Sequence, residues 1–217
     1  MPRRNRVDPW GDIHAVATRG LYTGNRGCLV DDTGQLLRHH SGSLWIICRT
    51  QFQDWKHPLA APRTWTPLFF LDDAVALAAG HRPCGLCRKA DYLAFRDAVT
   101  IATDADRPLF AVELNRRMAA ERLRRGRGLV RARDRILSTS DLDALPTGTV
   151  MIDPVTGEPN LVTTRHLQPF AFDRWGPPCE RPRGVSVKVL TPTTSVAAIR
   201  NGFTPRLHPT AIGHQSA

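Results

Sequence analysis

Cys84 and Cys87 stand three positions apart in His81-Arg82-Pro83-Cys84-Gly85-Leu86-Cys87-Arg88. A Cys-x-x-Cys pair in a tight turn brings both sulfurs within reach of one tetrahedral ion, at about 2.3 Å each for zinc. That is half of a Zn2+ site, and a closed structural site needs two further ligands. Cys48, at the end of the apolar run Leu44-Trp45-Ile46-Ile47, is the expected third ligand, and Cys28 the expected fourth. For both, the competing role is that of a small buried hydrophobe. His39, His40, His57 and His81 offer imidazole in place of Cys28. Cys179 sits in Gly-Pro-Pro-Cys-Glu-Arg-Pro-Arg-Gly and is expected at the surface. Five cysteines suit a disulfide framework poorly. No apolar run follows Met-Pro-Arg-Arg-Asn-Arg, so reduced thiols or metal ligands in a cytoplasmic protein are the expectation.

The elements around the pair can be read from the same stretch. Phe69-Phe70-Leu71 reads as a strand, and Asp73 to Ala79 as a short helix capped by Asp72 and ended by Gly80 in a left-handed conformation. Pro83 holds the chain extended into Cys84. Upstream, Gly27-Cys28-Leu29-Val30, the turn Asp31-Asp32-Thr33-Gly34 and Gln35-Leu36-Leu37-Arg38 carry a hairpin signature. Leu44 to Cys48 reads as a buried strand. Downstream, a helix is expected over 89–99, where Tyr92, Phe95, Ala98 and Val99 share a face, and another over 109–124. Strands are expected at 148–152, 160–163, 167–172 and 185–190, then a last helix over 193–200 ended by Gly202. The fold class is therefore α+β. It has an N-terminal β-hairpin or meander with a zinc knuckle and short helices over 1–100, a basic helical segment over 109–135, and a β-rich region over 140–217.

The chain of 217 residues is long enough for a proper core, and its 41% apolar content is that of a globular protein. No apolar run approaches the roughly 20 residues that span a bilayer. The formal charge of +10 favours a polyanionic partner. Only Lys56, Lys89 and Lys188 of the 30 basic residues are lysine, a bias that a GC-rich genome also produces. Clustering adds weight. Arg122, Arg124, Arg125, Arg127, Arg131, Arg133 and Arg135 face one acid, Asp134, within 14 residues. A solvated helix face is the competing explanation. Arg49, Arg82, Arg88 and Lys89 flank the cysteines, and with Arg124, Arg125 and Arg127 they form the expected nucleic-acid-binding set.

The run Phe69 to Cys87, with Ala76-Leu77-Ala78-Ala79-Gly80 and Arg82-Pro83-Cys84-Gly85-Leu86-Cys87, resembles the N-terminal zinc domain of the Ada methylphosphotriester repair proteins. A weaker match lies upstream, where Cys48-Arg49 aligns with the family's nucleophilic cysteine and the arginine after it. Phe52 stands where the family carries another zinc ligand. The resemblance covers about 40 residues, strongly over the last 19. It implies a zinc-nucleated fold near DNA, with Cys48 as a candidate catalytic nucleophile that accepts a methyl group. Nothing in the chain matches the family's helix-turn-helix or its Pro-Cys-His-Arg active site.

Three functions follow as expectations. The first is a zinc-stabilised nucleic-acid-binding protein, with DNA the expected partner and repair the expected setting. The second is an enzyme on nucleic acid, either by stoichiometric dealkylation at Cys48 or as a hydrolase or transferase using His14, Asn25, Arg26 or His208. The segment Thr18 to Gly27, with glycines around Asn25-Arg26, suits either a ligand loop or a plain β-turn. The third is a basic module for an acidic protein partner. No P-loop, Gly-x-Gly-x-x-Gly, His-Glu-x-x-His or Gly-x-Ser-x-Gly motif is present, which removes nucleotide-driven motors and zinc proteases.

Overall fold

The computed structural model describes residues 2–54 and 64–212. The fold is α+β, with two six-stranded sheets and four α-helices among the described residues. Strands β1 (Arg6–Val7), β2 (Ile13–His14), β3 (Tyr22–Asn25), β4 (Ile46–Arg49), β5 (Leu68–Phe70) and β6 (Arg82–Pro83) form the first sheet, in the order β2-β1-β5-β3-β4-β6. Helix α1 (Asp73–Ala78) falls between β5 and β6. Helices α2 (Lys89–Ala102) and α3 (Ala111–Ala120) then lead to the second sheet. That sheet contains β7 (Ser138–Asp141), β8 (Val150–Ile152), β9 (Pro159–Val162), β10 (His166–Pro169), β11 (Cys179–Glu180) and β12 (Ser186–Val189), in the order β11-β10-β9-β8-β12-β7, all antiparallel. Helix α4 (Thr193–Arg200) closes the fold and packs on α2.

Two departures from the sequence reading concern the first sheet. The expected hairpin at 27–38 makes its turn: Gly34 has a φ of +81° and the Asp31 carboxylate accepts from the Thr33 and Gln35 amides. A single bridge, Val30 to Leu36, replaces the ladder. The stretch 18–27, read as a ligand loop or a turn, instead supplies the central strand β3, paired with both β4 and β5. Its glycines admit neighbouring backbone. A Cβ on Gly24 would lie 2.1 Å from the Ile46 carbonyl oxygen, and one on Gly20 would lie 1.8 Å from that of Phe70.

Helix α1 is buried along its whole length, as its apolar run after Asp73 requires, and touches β5 of one sheet and β8 of the other. Asp72 caps it by accepting from the Val75 amide at 3.0 Å. The second Asp72 oxygen accepts from Trp175 Nε1 at 2.6 Å and from the His208 amide at 2.9 Å. One carboxylate therefore ties the start of α1 to two late segments of the chain. A continuous buried cluster runs from Val7 to Ala211, so the regions 1–100, 109–135 and 140–217 share one core. A smaller cluster lies within the second sheet.

Trp45, buried just before β4, has two guanidiniums over its ring, that of Arg26 at 4.1 Å and that of Arg122 at 3.9 Å. Arg26 donates from Nε to His81 Nε2 at 3.1 Å and from a terminal nitrogen to the Gly11 carbonyl at 2.7 Å. Burial, with the nearby arginine charge, pushes His39 down to about 2, His40 to about 4 and His81 well below its ordinary value. These imidazoles are neutral at pH 7 and serve the core.

Candidate metal centre

Sheet register builds the centre. Strands β4 and β6 run parallel, with Ile46 opposite Arg82 and Ile47 opposite Pro83. One residue further on, Cys48 meets Cys84. The Cys84 amide donates to the Ile47 carbonyl at 2.9 Å, which fastens the knuckle to β4. The chain then turns through Gly85-Leu86, and the Arg88 amide donates to the Cys84 carbonyl at 3.2 Å, leading into α2. This returns Cys87 to the same spot. The sulfurs of Cys48, Cys84 and Cys87 all lie within 4.8 Å of one another. Ligands at about 2.3 Å around a tetrahedral ion have S···S separations of roughly 3.8 Å, so three thiolates in this arrangement can hold one metal ion.

The backbone supports negative sulfur. The Leu86 amide donates to Cys84 Sγ at 3.4 Å, and the Arg49 amide donates to Cys87 Sγ at 3.4 Å. The three thiols titrate together. Hydrogen bonds from Cys48 and Cys87, with backbone amides, hold Cys84 well below the usual thiol range. The Cys84 and Cys87 contacts and then burial push Cys48 up. At Cys87 the contact with Cys48 lowers the value, but that with Cys84 and burial outweigh it. Three thiolates at this spacing repel one another and call for a cation among them. The donor set fits a soft or borderline divalent ion such as zinc.

The expected fourth ligand, Cys28, is not in the group. The chain leaves the sheet after Asn25, and the Cys28 thiol donates to the Val30 carbonyl at 3.7 Å within its own turn. His39, His40 and His81 belong to the Arg26–Trp45 nest, and His57 lies outside the described residues. Among the described residues, no other Cys, His, Asp or Glu joins the three sulfurs.

A pocket of about 300 Å³ opens over the sulfurs. Its wall is chiefly apolar, with Phe52, Trp65, Pro67, Phe69 and Leu86, while Thr23, Asn25 and Arg49 add polar groups.

The basic residues separate into two kinds. Arg82 is buried, donates from Nε to Asn115 at 2.9 Å and lies 4.9 Å over the Tyr92 ring. The Arg88 side chain is 2% exposed, forks onto both Asp73 oxygens at 2.5 and 2.9 Å, and covers Tyr22. Both were expected to meet nucleic acid, yet each guanidinium is spent inside the fold. Asn115, which takes Arg82, and Asp73 and Tyr22, which take Arg88, lie far enough along the chain to be invisible to local patterning. Arg122, Arg131 and Arg135 likewise turn inward, so nearly half of the arginine run is interior. Arg49, Lys89, Arg124, Arg125 and Arg127 remain exposed.

Of the hydrolase candidates, only Asn25 lines the pocket. His14 pairs with Asp8 at 2.7 Å, Arg26 is fully buried, and the His208 amide is bound to Asp72. They do not converge on one site. Arg206, which sequence reasoning overlooked, lines a cleft beside Arg49, and no local motif marked it. Compared with protein-family models, with curated proteins and with solved structures, the chain matches none. No helix among the described residues is long and apolar enough to cross a membrane.

Proposed function

We propose that this chain is a zinc–thiolate protein that works on DNA, with Cys48 accepting an alkyl group from a damaged phosphate backbone. The observation that carries the reading is the position of the three sulfurs at the floor of an apolar pocket. Structural zinc sites are closed by four protein ligands, whereas reacting sites keep a position open to the substrate. The described residues supply three sulfurs and a space above them sized for a small group. The resemblance of Phe69 to Cys87, and of Cys48-Arg49, to Ada repair proteins supports the same chemistry. The +10 formal charge and the exposed Arg49, Lys89, Arg124, Arg125 and Arg127 support a polyanionic partner.

Zinc, when bound, would keep the sulfurs deprotonated at neutral pH and so maintain a nucleophile. All three cysteines line the pocket, Cys48 as the strand-borne member, and the resemblance of Cys48-Arg49 to the nucleophilic pair of the Ada proteins gives Cys48 the part of the nucleophile. In the reaction, a sulfur–carbon bond forms and the carbon–oxygen bond of the phosphotriester breaks. The electron pair of that bond stays on the phosphate oxygen, which converts a neutral triester into an anionic diester. No proton transfer and no further reagent is required. The sulfur is consumed as a thioether, so turnover is one per chain. The apolar wall suits a neutral triester better than a charged diester.

Incubation of the zinc-loaded protein with a methylphosphotriester oligonucleotide should add the mass of one methylene, mapped by peptide mass spectrometry to Cys48. A protein that carries metal and binds the oligonucleotide, yet gains no such mass, would leave the second reading. In that reading, zinc serves only to shape a DNA-binding fold, as the exposed arginines alone suggest.

A further inference from the structure

Arg49 lines two cavities at once. One is the apolar pocket over the sulfurs. The other is a polar cleft of about 470 Å³ that extends from Thr50 and Gln51 to Thr204 and Arg206. The carboxylates in that cleft are already engaged: Asp73 is forked onto Arg88, and Asp91 accepts from Arg88 Nε at 2.7 Å. Three guanidiniums thus meet two carboxylates, and those of Arg49 and Arg206 make no hydrogen bond among the described residues. The main chain holds Arg206 in place. Its amide donates to an Asp73 oxygen at 2.9 Å, and its carbonyl accepts from the Asp73 amide at 3.2 Å. The buried Arg88–Asp73 pair therefore fixes the backbone that presents the exposed Arg206 side chain.

We propose that this cleft seats an anionic phosphodiester of a nucleic-acid strand between Arg49 and Arg206, while the neighbouring group on the strand enters the pocket over Cys48. The inference rests on the reading of that pocket as a site for alkylated nucleic acid. The two cavities differ in the way that two neighbouring phosphates would. A neutral alkylated triester matches the apolar wall, and its unmodified charged neighbour matches two guanidinium forks, whose planar donors suit phosphate oxygens. Arg49 stands where the cavities join and would face both. On this account the C-terminal segment is part of the site, because Arg206 comes from the far end of the chain.

The test uses the full-length, zinc-loaded protein and fluorescence anisotropy with a labelled single-stranded oligonucleotide over a range of salt concentrations. Arg206→Ala should bind on the order of tenfold more weakly, with a log–log salt slope shallower by about 0.7. Arg183→Ala, another exposed arginine outside both cavities, should match the wild type. Arg206→Lys, which keeps the charge without the fork, should keep the salt slope and recover part of the affinity. A wild type that binds, alongside an Arg206→Ala variant of equal affinity and slope, would overturn the cleft while leaving the pocket reading intact. A metal-bearing wild type with no affinity for the oligonucleotide would overturn both.

Discussion

Cys84→Ser should abolish metal binding and lower the melting temperature by 10 °C or more. Cys84 is the hub of the three-sulfur group: it takes hydrogen bonds from Cys48, Cys87 and the Leu86 amide, and its own amide is bonded to β4. Serine preserves size but is a poor ligand for zinc. Metal affinity in a site absent from the unfolded chain is folding free energy, of order 10 kcal/mol in small zinc domains that have little else. This chain has a continuous buried core of its own, so a smaller share is expected, about 4 kcal/mol or more. At 2–4 °C per kcal/mol for a chain of this size, that amounts to roughly 10 °C. Thermal unfolding followed by circular dichroism, with and without a chelator, checks it: a chelator should lower the wild type towards the variant and leave the variant unchanged. Equal melting temperatures for variant and wild type would remove the centre from the folding account.

Arg88→Met should destabilise the protein by about 3–5 kcal/mol, the usual cost of leaving one member of a buried ion pair alone. Burial opposes the Arg88 charge, but the Asp73 and Asp91 carboxylates outweigh it and hold the guanidinium firmly protonated. Asp73, with its side chain 1% exposed, would keep a carboxylate with no cation beside it, and its link to the Arg206 backbone would be strained in turn. Adding Asp73→Asn should recover part of the loss, because the orphaned charge is then gone. Urea unfolding of both variants measures the difference. An Arg88→Met protein as stable as the wild type but weakened in DNA binding would restore Arg88 to the phosphate-contacting surface and contradict its interior role.

The contrast between Cys84 and Arg88 shows what the sequence carried. The knuckle was legible because its signals are local: the Asp72 cap, the Gly80 stop, Pro83 and the two-residue cysteine gap all act within a few residues. Helix α2 and helix α4 were legible for the same reason, through periodicity and a terminal glycine. Cys48 was reachable because a short apolar strand ending in cysteine can pair beside the knuckle, and the parallel β4–β6 register places it there. Cys28 failed because its thiol bonds within its own turn, away from the three sulfurs, and spacing does not tell which way a turn points. The arginines failed for a related reason. A guanidinium in a basic run has the same local appearance whether it faces water or, like Arg122, covers Trp45. The strand β3 was misread because Gly20 and Gly24 relieve backbone crowding in the sheet, while glycine in isolation suggests a loop. Strand β7, Ser138–Asp141, has no apolar alternation to mark it and is defined by its pairing with β12.

The most direct measurement is the metal content of the purified full-length chain by native mass spectrometry with elemental analysis, for the wild type and for Cys28→Ser, Cys48→Ser, Cys84→Ser and Cys87→Ser. The three-sulfur centre predicts one zinc per chain in the wild type and in Cys28→Ser, with zinc lost or greatly weakened in the other three. A metal-free wild type, or a Cys28→Ser protein that loses its ion while Cys48→Ser keeps it, would contradict the account at its centre.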